Sequence, residues 1–287
     1  MLTITKAATW AALATMALAA NAAPALSQST QADLSSNWKL CRTASGQLAI
    51  GACTSLLKSG KLTKAQMAEA YNNRGYELSR QGKNQQAIAD FDEAIKRDPG
   101  YVRAFNNRGN AYADLKKYQR AVADYDQAIK LKPNDGDGYY NRGNAYANLS
   151  RFKRALADFD SAIKRNPRFA QAHNNRGLLL TRLKQYDRAI ADLKKSIELD
   201  PRQPSALNNM AWALFNAGRA AEGLPFANRA LALDPKGAYI WNTRAHIHEA
   251  MGRKVKAIAD YRKSLALNPA HADSLKAMKR LGVKVKP

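Results

Sequence analysis

Between residues 68 and 271 the apolar positions recur in short stripes, each followed by a polar turn. In residues 102–135, Phe105, Gly109 and Tyr112 form one stripe at steps of four and three, and Ala121, Tyr125 and Ala128 form a second. That spacing places side chains on one face of an α-helix. Lys116, Lys117 and Tyr118 fall between the stripes as a short turn. Pro133 stops the second helix, because it lacks an amide hydrogen and its ring clashes with the preceding turn. The segment predicts two helices joined as a hairpin.

The hairpin is repeated. Pro99, Pro133, Pro167, Pro201, Pro235 and Pro269 stand 34 residues apart, and Gly75, Gly109, Gly143 and Gly177 keep the same step, continued by Ala211 and Ala245. A fixed period of this length marks a stacked array of supersecondary units. Six units follow: 68–101, 102–135, 136–169, 170–203, 204–237 and 238–271. Small residues such as Gly109, Ala121 and Ala128 let paired backbones approach, and a bulky side chain there would cost about 1–3 kcal/mol. One hairpin cannot bury both of its stripes, so neighbours must stack into a continuous core. Unit five departs from the others: Gly223 and Pro225 fall early in its second helix, which predicts a late start or a kink.

Here the residues resemble the tetratricopeptide repeat: a large residue, Gly or Ala four later, an aromatic or Leu three beyond, then Ala, Tyr or Phe, Ala and a closing Pro. The stretches Asn106 to Gly109 and Asn141 to Tyr146 are similar to its bacterial form. The resemblance covers 68–271 and implies an all-α, right-handed α-solenoid of six 34-residue helix-turn-helix repeats that binds proteins or peptides. Residues 272–287, with Leu275, Met278 and Leu281 on one face among lysines, are similar to the cap helix and tail that close such arrays. Residues 23–67 are not a full repeat. Ala49, Cys53 and Leu56 keep second-helix spacing, so 23–36 is read as a leader and 37–60 as one or two short capping helices.

Composition adds a compartment and a charge. Lys6 precedes an uncharged run from Ala7 to Ala20, and Ala20-Asn21-Ala22 offers a small-x-small cleavage site. Residues 1–22 therefore read as a secretory signal peptide, and the mature chain as exported, periplasmic or alternatively secreted. In an exported chain, Cys41 and Cys53 most simply form one disulfide that pins the cap. With 46 Lys and Arg against 23 Asp and Glu, the net charge is +23. This favours anionic partners without specifying a fold. Export argues against nucleic acid.

No catalytic or cofactor motif is found: the chain has no phosphate-binding glycine loop, HExxH or GxSxG. His246 and His248 lie two apart on a helix, facing nearly opposite sides, which is unsuited to one metal. The acid pairs Asp90/Asp92, Asp124/Asp126 and Asp158/Asp160 repeat every 34 residues and are architectural. The chain is thus read as a non-enzyme without cofactor or metal.

Internal comparison pairs some of these acids. Arg74, Arg108, Arg142, Arg176 and Arg244 share one repeat position, and Asp90, Asp124, Asp158, Asp192 and Asp260 another. Unit five loses both at once, to Met210 and Phe226. The joint loss predicts five structural ion pairs, each within one hairpin, of the forked Arg–carboxylate kind.

The resemblance implies a concave groove lined by the first helices. A row offset from the packing stripe holds Asn106, Asn110, Tyr140, Asn144, Asn174, Leu178, Asn208, Trp212, Phe215 and His246. Two readings of it stand. Carboxamides can bond a partner backbone while Trp212, Phe215 and Leu178 anchor it; alternatively, the asparagines support helix packing and only Trp212 matters. No Lys stands at Asn72, Asn106 or Asn174, so the family's lysine–asparagine clamp for a terminal carboxylate is absent. Most excess charge lies at the inter-helix turns: Lys116, Lys117 and Arg120; Arg151, Lys153 and Arg154; Lys184 and Arg188; Arg253, Lys254 and Lys256. A basic edge there could hold an anionic polymer or a peripheral membrane surface, or could simply be solvated.

Overall fold

The computed structural model describes residues 33–284, so the signal peptide expected over 1–22 lies outside the described residues. All regular structure among the described residues is helical. Helix α1 covers 33–43. It is followed by α2 (Gly46–Lys58), α3 (Lys64–Arg80), α4 (Asn84–Arg97), α5 (Val102–Asp114), α6 (Tyr118–Leu131), α7 (Gly136–Asn148) and α8 (Phe152–Arg165). The series continues with α9 (Ala170–Arg182), α10 (Tyr186–Leu199), α11 (Pro204–Asn216), α12 (Ala220–Leu233), α13 (Ala238–Ala250), α14 (Lys254–Leu267) and α15 (Ala272–Arg280). From α5 to α14 the helices start in strict 34-residue register. Helix α3 instead begins four residues ahead of that register, where Thr63 and Gln66 close a reciprocal capping box.

Two expectations need correction. Helix α12 starts at Ala220, in register, with Pro225 inside it, so the second helix of unit five does not start late. Helix α1 already includes residues 33–36, which the sequence reading assigned to the leader.

The chain forms two compact units, Met1–Gln127 and Ala128–Pro287, divided within α6. In the first, the Cys41–Cys53 disulfide ties α1 to α2. The two cysteines pack with Ala52, Leu56 and Ala70, so the cap seats on α3. Arg42 grips Glu69 through two bonds of 2.7 and 2.8 Å, and the buried Glu77 accepts the Gly46 amide at 2.7 Å.

In the second unit, consecutive hairpins pack as in a tetratricopeptide-type solenoid. Leu193 of α10 meets Met210, Ala213 and Leu214 of α11, and Leu207 meets Ala230, Leu231 and Ile240. Met278 and Ala277 of α15 cover Tyr261 and Leu265. Close approach within hairpins explains the small-residue position. A Cβ at Gly177 would lie 2.7 Å from Leu193 Cγ, closer than packed carbon atoms come. At the same position Ala211 packs in a cluster with the small Ala227, and Ala245 in one with Tyr261.

Candidate partner-binding groove

The arginine row braces five of the six hairpins. Nε and Nη2 of Arg74, Arg108, Arg142, Arg176 and Arg244 donate in parallel to both carboxylate oxygens of Asp90, Asp124, Asp158, Asp192 and Asp260, at 2.6–2.9 Å. The aspartates are buried, so each depends on its guanidinium to offset desolvation. In unit five, Met210 and Phe226 join the apolar cluster around Leu193 instead.

The sequence reading missed a second arm. The Nη1 group of Arg108 reaches back to Asp92 of the preceding hairpin at 2.5 Å, and that of Arg176 to Asp160 at 2.6 Å. Arg244 bonds Asn228 and Arg74 bonds Thr54 in the same way. One guanidinium thus braces its own hairpin and the one before it. Burial works to raise the Asp192 carboxyl, but hydrogen bonds from Arg176 and His173 outweigh it and hold the group below its ordinary value.

The asparagine row is divided between packing and surface. Asn209 donates to Asn174 at 3.0 Å, Asn107 donates to Asn72 at 2.9 Å, and Asn175 donates to Tyr140 and Asn144 at 3.1 and 2.8 Å. These bonds join successive first helices. Asn174 and Asn208 are each only 6% exposed, so they do not face a partner as the groove reading had it. The buried Oδ1 atoms of Asn208 and Asn106 have no hydrogen-bond partner. Asn110 is exposed and accepts from the Tyr125 hydroxyl at 2.7 Å.

The surface that remains is a groove of about 620 Å³ in the second unit, bounded by α7, α9 and α11. Asn144, Leu178 and Trp212, which are 34 residues apart, contribute one row to it. Asn148, Arg182 and Asn216, one turn further along the same helices, contribute a second. Leu178 is 43% exposed although flanked by the fully packed Gly177 and Leu179, which marks it as groove surface, not core. Trp212 stacks on Phe215 at 5.2 Å and meets the edge of His246 at 5.7 Å. His246 in turn packs against Tyr261 and shares a 3.0 Å hydrogen bond with its hydroxyl. Burial pushes the His246 pKa down and Tyr261 well up, so both are neutral at pH 7. Tyr140 packs on Phe169 at 4.7 Å and on Phe159, which lines the groove, at 6.2 Å. Among the described residues, no three His, Cys, Asp or Glu side chains are grouped to hold a metal ion.

Family models described as tetratricopeptide repeat match residues 72–136, 140–204, 180–247 and 238–271. The chain belongs to the tetratricopeptide repeat family. A comparison with curated protein sequences returns no match. Among solved structures it is similar to a tetratricopeptide repeat protein of Parabacteroides merdae, at 20% identity and a TM-score of 0.68, covering 88% of this chain and 98% of that one. It is also similar to PilW, a type IV pilus biogenesis factor, at 23% identity and a TM-score of 0.67, covering 74% and 99% of the two chains. A third is YrrB, described as having an unusual peptide-binding site, at 24% identity and a TM-score of 0.52, covering 66% and 97%. At these identities the likeness shows the fold.

Proposed function

We propose that the protein is an exported, non-catalytic scaffold that holds an extended segment of a partner protein in the groove of its second unit. The carrying observation is the apolar pair of exposed Leu178 and half-buried Trp212, set among the carboxamides of Asn144, Asn148, Asn175 and Asn216. Partly exposed aromatic anchors with hydrogen-bonding groups around them are the usual chemistry of partner capture. YrrB offers a fold-level parallel, since it too is described as binding a peptide. Export is supported by the signal-like residues 1–22 and by the Cys41–Cys53 disulfide, a bond favoured in oxidising compartments. Among the described residues no helix is long and apolar enough to cross a membrane.

A second reading rests on the turn charges. Arg151, Lys153, Arg154, Lys184, Arg188, Arg253, Lys254 and Lys256 are all exposed in the second unit and could hold an anionic polymer or membrane surface. Salt separates the two. Capture of periplasmic proteins by the mature chain should persist between about 50 and 200 mM salt if the groove does the work. A loss of capture over that range by orders of magnitude would transfer the function to the basic turns.

A further inference from the structure

The groove carries a charge bias. Its lining includes two cations, Arg182 at the end of α9 and Lys184 in the following turn, and no aspartate or glutamate. Arg176, on the same helix, is committed to Asp192 and Asp160. Arg182 makes no ion pair among the described residues; its guanidinium stands over the Phe152 ring at 4.6 Å, and the side chain is exposed. Stacking on a ring face leaves the N–H edge of a guanidinium free to fork onto a carboxylate.

The neighbours of Arg182 sharpen the point. One hairpin to either side, Asn148 and Asn216 donate Nδ2 to the Asn144 and Trp212 carbonyls, at 2.9 and 2.7 Å. Their oxygens are left as acceptors, which suit a peptide N–H and repel a carboxylate. Arg182 is therefore the place in that row where an anion fits, with Leu178 and Trp212 one turn away as the apolar wall.

We infer that the groove selects an extended acidic–apolar segment, with a carboxylate side chain on Arg182 and Lys184 and a large apolar side chain against Leu178 and Trp212. This rests on the groove reading above and narrows it to one class of peptide. A basic segment would meet like charge and be rejected.

The test uses the mature protein and two fluorescein-labelled peptides of alternating residues, one Leu/Asp and one Leu/Asn, with binding read by anisotropy. The native protein should prefer the Leu/Asp peptide by about tenfold or more, the usual scale of a charge-assisted bond. Arg182→Gln should abolish that preference with unchanged thermal unfolding, and Arg182→Lys should retain part of it. Trp212→Ala should weaken both peptides. Equal native affinity for both, or a preference that survives Arg182→Gln, would overturn the acidic selection while leaving the groove standing. Failure of either peptide to bind, or indifference of both to Trp212→Ala, would overturn the groove reading itself.

Discussion

Arg244 and Asp260 meet as a parallel fork within one hairpin, Nε to Oδ2 at 2.7 Å and Nη2 to Oδ1 at 2.8 Å, with the aspartate buried. Removing the cation alone strands a buried charge, which typically costs 3–5 kcal/mol. Arg244→Met should therefore destabilise the protein by about that much. Adding Asp260→Phe should recover a large part, because Met210 and Phe226 already fill these positions in unit five. A double-mutant cycle read by denaturant unfolding gives the coupling. A coupling near zero would contradict the fork.

Acid should act through the same row. The Asp192 carboxyl is held low despite burial, by Arg176 and His173. Its contribution is complete above the unfolded carboxylate value of about 3.9 and is lost as pH falls through the depressed folded value. Asp192→Asn should thus lower stability at pH 7 and flatten the acid limb below about pH 4. An acid limb unchanged in slope would show that Asp192 titrates normally.

Much of this arrangement was legible in the sequence, and the limits are physical. The 34-residue step of prolines and glycines located the hairpins because every unit needs the same stop and the same close approach. The Arg–Asp pairing was visible because unit five lost both partners together. The second arm, from Arg108 to Asp92 and from Arg176 to Asp160, was not, since it depends on which faces of successive hairpins meet. Asn174 and Asn208 were read as groove residues for a related reason. Adjacent rows on a helix differ by one step of about 100°, and only the packing of α9 on α11 decides which row is covered. Arg182 escaped notice because a single unmatched arginine in a basic chain carries no periodic signal. Pro225 and Gly223 predict a late start or a kink in α12; the late start does not occur, since the helix begins in register at Ala220 and runs through Pro225.

The asparagine ladder predicts a gain as well as a loss. Asn209→Ala would orphan the Asn174 carboxamide oxygen, costing about 1–3 kcal/mol. At the end of the ladder Thr243 holds the position equivalent to Asn209, and it bonds its own helix at Tyr239, leaving Asn208 Oδ1 without a donor. Thr243→Asn should supply the donor and stabilise by about 1 kcal/mol. Unchanged melting in both variants would mean that the ladder contributes nothing.

Two small residues should respond to Ala for different reasons. Gly218 adopts φ +77° in an open turn, so Gly218→Ala should cost about 1 kcal/mol from backbone conformation alone. Gly177→Ala has a normal backbone but drives Cβ into Leu193 and should cost about 1–3 kcal/mol. A double-mutant cycle with Leu193→Ala should show coupling to the second variant and none to the first. Coupling of Gly218→Ala to Leu193→Ala would contradict this separation.

The cap offers a chemical check. Thiol titration of the unfolded, unreduced mature protein should find no free thiol, since Cys41 and Cys53 are bonded. Reduction should lower stability by about 2–3 kcal/mol for so short a loop. Two free thiols in protein recovered from an oxidising compartment would contradict both the bond and part of the case for export.

The central claim is that Trp212 anchors a partner in the groove, and its most direct test is the affinity of a captured partner for Trp212→Ala. An aromatic anchor is commonly worth 2 kcal/mol or more, so binding should weaken at least about thirtyfold at a temperature where the variant is still fully folded. Charge reversal of Arg151 and Lys153 should matter mainly at low salt. Full affinity in Trp212→Ala, together with loss of binding on charge reversal at physiological salt, would contradict the groove and place the partner on the basic turns.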